Sequence, residues 1–89
     1  MEADFKILTH LNGRYLHLKL EGRFDSVSAR QLIGLLRRYT WKVSTVIIHT
    51  NALKGGVPFA QDEFKNDLLS FKEEPVQFIF TGDHASLFC

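Results

Sequence analysis

Leu16-His17-Leu18-Lys19-Leu20-Glu21-Gly22-Arg23-Phe24-Asp25-Ser26 is the stretch on which the reading of this chain turns. Its first half alternates apolar and polar residues, the period of a half-buried strand: Leu16, Leu18 and Leu20 share one face, and Tyr15, His17, Lys19 and Glu21 the other. At Gly22 the period changes. Asp25 or Ser26 can accept hydrogen bonds from the orphan N–H groups that open a helix. Ala29, Leu32, Ile33 and Leu36 then recur at helical spacing, which predicts a helix from Val27 to Tyr39 with Arg37 and Arg38 at its negative end.

Upstream, Phe5 to Leu11 reads as a short strand. Asn12-Gly13 follows, a two-residue hairpin signal, since both residues tolerate the positive φ of a type I′ turn. That turn pairs Leu11 with Arg14. It sets Thr9, Ile7 and Phe5 opposite Leu16, Leu18 and Leu20 on the core face, and His10, Leu8 and Lys6 opposite Tyr15, His17 and Lys19 on the other. Downstream, Val43 to Thr50 is β-branched and apolar enough for a central strand. Asn51 to Val57 reads as a loop holding Gly55-Gly56. Pro58 opens a second helix, lined by Ala60, Phe64, Leu68 and Phe71, that runs to about Lys72. Val76 to Phe80 is a fourth strand, and Asp83 can cap a last turn from His84 to Phe88. The expected fold is α/β: one two-layer ββαβαβ domain over residues 1–89, a mixed four-stranded sheet with helices mainly on one face.

Composition narrows the function. The chain has 89 residues, 45% of them hydrophobic, and a net charge of +1, so no global field draws it to nucleic acid or an anionic membrane. The single cysteine, Cys89, excludes an intrachain disulfide and the cysteine-rich zinc motifs. No apolar run is longer than Val46-Ile47-Ile48, far short of a membrane span. The acidic start Met1-Glu2-Ala3-Asp4 lacks the pattern of a signal peptide, and a cytoplasmic location is expected.

The stretch Leu16 to Ser26, followed by Leu32, Leu35 and Leu36 and then Val46-Ile47-Ile48, resembles the STAS domain. That family includes bacterial anti-sigma factor antagonists and sulfate-transporter appendages. The likeness lies in an alternating strand ending in Gly-x-hydrophobic-Asp, a leucine-spaced helix and a Val/Ile strand, over residues 5–53. It implies a regulatory module whose partner is a kinase, a sigma-regulatory protein or a larger complex. One departure is plain. Family regulators carry Asp-Ser-Ser-Gly or similar where the second helix starts, and a partner kinase phosphorylates a serine there. Here Lys54-Gly55-Gly56-Val57-Pro58-Phe59-Ala60 has no Ser, Thr or Asp, so no hydroxyl can carry the added charge. A shortened relative without a phospho-switch is expected.

Catalysis finds little support in the residues. His10, His17, His49 and His84 could each act as a base, but no nucleophile elbow, P-loop or His-Glu-x-x-His pattern accompanies them. Helix capping alone explains Asp25 and Ser26, so the chain reads as a non-enzyme without a cofactor. The open sheet face is the first contact candidate: Lys6, His10, Tyr15, His17 and Lys19, with Lys6 and Lys19 directly opposed. A solvated polar face explains the same residues. His10 and His17 are diagonal neighbours, but two ligands are too few for a structural zinc, so no metal site is expected. Bases could stack on Tyr15 with phosphates on the lysines, which makes nucleic acid the alternative partner, against the absence of RRM motifs. A second alternative is a small anionic ligand at Gly55, Gly56 and the N-terminus of the second helix. Phe59 and Leu69 lie off the core stripe of that helix and suit a protein contact or a homodimer.

Overall fold

The computed structural model describes residues 5–56, 58–71 and 75–82, apart from the side chains of residues 55–61 and 70. The chain runs through β1 (Lys6–Asn12), β2 (Tyr15–Phe24), α1 (Ser26–Tyr39), β3 (Thr45–Gly56), α2 (Pro58–Leu68), a 3₁₀ turn (Leu69–Phe71) and β4 (Gln77–Thr81). The sheet order is β1-β2-β3-β4. β1 is antiparallel to β2, and β2, β3 and β4 are parallel. The expected α/β architecture is the observed one.

β2 decides the packing. Leu16, Leu18, Leu20 and Phe24 are fully buried, and they meet Ala29, Leu32, Ile33 and Leu36 of α1, Val46 and Ile48 of β3, and Phe64 of α2. Both helices therefore lie on the leucine face. α1 starts where the sequence expects: the Asp25 carboxylate accepts from the Ser28 N–H at 2.9 Å, and the buried Ser28 hydroxyl lies 3.0 Å from the Arg23 carbonyl. An aromatic chain fills the end of the core. The Phe24 ring packs edge-on against Phe5 and Phe64, each at 5.9 Å, and Phe64 against Phe80 at 6.4 Å.

Four expectations are corrected. First, the hairpin turns on Gly13-Arg14, not Asn12-Gly13: Asn12 pairs with Tyr15, and Gly13 has φ +63° while Arg14 does not share the positive φ. Glycine alone at the first central position is the type II′ pattern. The pairing shifts by two residues, so each side chain keeps its face but changes partner. Lys6 lies opposite Glu21 rather than Lys19, and His10 opposite His17 rather than Tyr15. This register replaces a like-charge pair by an opposite-charge one. Second, residues 51–56 are strand, not loop. Gly55 and Gly56 pair with Arg23 and Phe24, and two irregularities, after Lys19 and after Gly22, absorb the extra residues of β3. Third, the second helix is not α-helical throughout: α2 ends at Leu68 and tightens into a 3₁₀ turn that carries the helical run to Phe71. Fourth, Thr9 and Leu11 point to the helix side yet are exposed, because β1 is the edge strand beyond the helices' reach. The last turn expected at residues 84–88 lies outside the described residues.

Candidate functional site

With both helices on the leucine face, no described element covers the other side of the sheet. Two rows of side chains cross it. Leu8, Lys19, His49 and Thr81 form one row; His10, His17, Ile47 and Ile79 form the next. Strict alternation places them there: each residue's chain neighbours point to the helix side of the sheet. Tyr15 is 52% exposed and Leu8 49%, and Ile79 is exposed as well. The face is thus apolar at its borders and imidazole-rich at its centre.

The histidines are linked. His17 Nδ1 lies 3.2 Å from His49 Nε2, and His49 Nδ1 lies 2.8 Å from Thr81 Oγ1. The His17 and His49 rings are parallel within 5°, with centroids 5.5 Å apart. That separation exceeds the N···N distance by about two ring radii, so the rings meet edge to edge in one plane, the geometry of an N–H···N hydrogen bond. His10 packs on the outer side, its ring tilted and 6.1 Å from His17. Partial burial, reinforced by the neighbouring His17 and Lys19, holds the His49 imidazole below its ordinary pKa.

Beside this row the irregular pairing of β2 and β3 opens two adjoining hollows that share Ala52. One is lined by Lys19, His49, Asn51 and Ala52, the other by Lys6, Glu21, Gly22, Ala52 and Lys54. The Lys19 ammonium lies 3.9 Å from the Glu21 carboxylate. Among the described residues lining these hollows, Glu21 is the one acid against three lysines.

The structure thus brings Lys6, His10, Tyr15, His17 and Lys19 onto one face. Leu69 stands elsewhere, on the 3₁₀ turn after α2, and is 64% exposed. The Phe59 side chain lies outside the described residues. Gly55 and Gly56 belong to the end of β3 rather than to the loop expected there. Among the described residues no group of three His, Cys, Asp or Glu side chains is arranged to hold a metal ion, and no helix is long and apolar enough to cross a membrane.

Two residues escaped the sequence reading. His49 counted only as one of four histidines, although its position, out of phase with Val46 and Ile48, already put it on the open side. Trp41, in the turn between α1 and β3, is 73% exposed, and the Lys42 ammonium sits 5.4 Å from its ring and 4.9 Å from that of Tyr39. A lone Trp in a turn carries no periodic signal.

Comparison with solved structures gives this architecture a family likeness. A STAS-domain anti-sigma factor antagonist from Rhodobacter sphaeroides superposes with a TM-score of 0.73 at 17% identity, covering 93% of this chain and 91% of that one. The fold is that of the STAS domain. The unphosphorylated anti-sigma factor antagonist SpoIIAA follows at a TM-score of 0.62 and 15% identity, over 85% of this chain and 70% of that one. A crystal structure of Mglu matches at 0.73 and 12% identity, covering 82% of this chain. The chain spans only 18–28% of the length of the Mglu structures it matches. No family model and no curated protein matches the sequence. The STAS fold positions the open face; at such identities it does not carry the relatives' activities with it.

Proposed function

We propose that the protein is a non-catalytic regulatory module, acting in the cytoplasm, that docks a protein partner on its open sheet face. The observation that carries this reading is the sheet face that no described element covers, where Leu8, Tyr15 and Ile79 stand exposed around the half-buried His17 and His49. Exposed apolar side chains gathered on one surface mark a contact site where scattered ones do not. The likeness to anti-sigma factor antagonists supports the regulatory part.

The module works without a phosphate switch. SpoIIAA has been solved in unphosphorylated and phosphorylated forms, but this chain has no hydroxyl from Lys54 to Ala60. The nearby Thr50 is fully buried, and its hydroxyl donates to the Thr81 carbonyl at 2.7 Å. A kinase could reach it only by opening the β3–β4 ladder. Stoichiometric phosphate at Thr50 in protein from its native cell would refute this part.

Docking is tested by capturing partners from native lysate with the wild type, with Leu8→Glu/Ile79→Lys on the sheet face, and with Leu69→Ser on the helix side. A partner lost only with the sheet-face variant supports the reading. Loss only with Leu69→Ser moves the site to the helix side. A captured nucleic acid, released steeply as salt rises, replaces it with the nucleic-acid alternative.

A further inference from the structure

The histidine row has chemistry that docking alone does not require. We propose that the open face is a proton-linked receptor for an acidic protein surface, in which docked carboxylates draw one proton onto the His17–His49 pair. The inference rests on the docking reading above and names the partner's charge and the response to pH.

Charge complementarity chooses the partner. The ionisable groups around the pair are Lys6 and His10 from β1, Tyr15, Lys19 and Glu21 from β2, and Lys54 from β3. β4, which is Gln77-Phe78-Ile79-Phe80-Thr81, contributes none. Among the described residues, one carboxylate against three lysines makes the face positive before any histidine is charged. Leu8, Tyr15 and Ile79 border it with apolar surface that a docked protein would shield from water, where charge pairs strengthen.

Geometry sets the proton count at one. Only one hydrogen fits between His17 Nδ1 and His49 Nε2 at 3.2 Å. From either neutral tautomer, one added proton gives the same pair: a hydrogen on His17 Nε2, one shared between His17 Nδ1 and His49 Nε2, and His49 Nδ1–H facing Thr81 Oγ1. The bond between the histidines then becomes charge-assisted rather than broken. A second proton, on His49 Nε2, would set two N–H donors head to head. A partner's carboxylates brought against the pair favour its protonated form.

The probe is a short poly-L-glutamate, titrated calorimetrically between about pH 7.5 and about pH 6 in buffers of different ionisation heat. Affinity should rise on acidification by up to about tenfold per pH unit, the limit for one linked proton, with close to one proton taken up per complex. His17→Gln/His49→Gln should take up less than the wild-type proton and lose most of the pH dependence, whereas His10→Gln should keep both. Imidazole nitrogen spectra of the free wild type should show His17 and His49 titrating as a coupled pair. Two independent titrations, or probe binding without proton uptake, overturn the inference. So does a partner captured through the sheet face that is basic or indifferent to pH, and this last result leaves the docking reading standing. An oligonucleotide of equal charge that binds more tightly than the glutamate probe overturns the acidic-protein partner. Acid-induced self-association without any probe overturns it in favour of a second copy of the chain.

Discussion

At the scale of single residues, two glycines make opposite demands. Gly82 has φ +102°, and a Cβ there would collide with the side chain and backbone of Asn51 and with Thr50 Oγ1. Backbone strain and close approach act together, so Gly82→Ala should lower stability by about 1–3 kcal/mol, read from the denaturant midpoint. Gly34 lies inside α1 with nothing within 4 Å of its would-be Cβ. Gly34→Ala should raise stability by about 0.5–1 kcal/mol, because alanine loses less backbone entropy in a helix. The cap at Asp25 has a pH signature. Hydrogen bonds from the Ser28 N–H and hydroxyl hold its carboxyl below the ordinary pKa. A depressed carboxylate adds stability above its unfolded value and loses it as pH falls through the folded one. Asp25→Ala should therefore cost about 1 kcal/mol at neutral pH. In strong acid the wild type and variant should converge.

At the scale of elements, the hairpin register is open to a sharp test. Lys19 faces Leu8 across the strands and lies near Glu21, whereas the register from an Asn12-Gly13 turn would oppose it to Lys6. Lys19→Glu places two carboxylates side by side, so stability should hold or drop by a few tenths of a kcal/mol. A stabilised variant would reinstate the Lys6–Lys19 pairing. The face of every β1 and β2 side chain was legible in the sequence, because alternation fixes it and a slip of two residues preserves it. The partners were not legible. Asn12-Gly13 and Gly13-Arg14 are both allowed turns, and the choice is made by contacts on other strands, including the Arg14 carbonyl accepting from the N–H groups of Ser44 and Thr45. The same limit explains residues 51–56. Their glycines signal a loop locally, but β2 is long enough to pair with them, and ladder hydrogen bonds outweigh weak strand propensity.

At the scale of the whole molecule, the imidazole of His49 links the sheet to pH. Its folded pKa lies below the ordinary 6.5, so the unfolded chain binds the proton more readily. The stability this adds is complete well above pH 6.5 and declines as pH falls through the folded value. Thermal midpoints should drop between neutral and mildly acid solution, and His49→Gln should show a shallower decline. Equal slopes would mean that another group dominates. The aromatic chain gives the other molecular-scale test. Phe24 ties the segment leading into β1 to α2 through its contacts with Phe5 and Phe64, and Phe24→Ala should cost about 3–5 kcal/mol.

The sequence by itself determined the order of elements, a capped start of α1 at Asp25 or Ser26, the leucine face of β2 and the opposite face as the partly open one. These depend on period and capping, which are properties of neighbouring residues. The likeness of residues 16–48 to the STAS domain was also legible, since an alternating strand, a cap and a leucine-spaced helix are local features. Only the tertiary structure decided which open-face residues touch. His10, His17, His49 and Thr81 come from four different strands, and their meeting depends on register across three ladders. A two-residue slip of the β2–β3 ladder keeps each face intact but separates His17 from His49, and a slip of β1–β2 or β3–β4 moves His10 or Thr81 away from them. Trp41 was beyond the sequence for a related reason: whether a turn residue packs or stands in solvent depends on what the fold brings beside it.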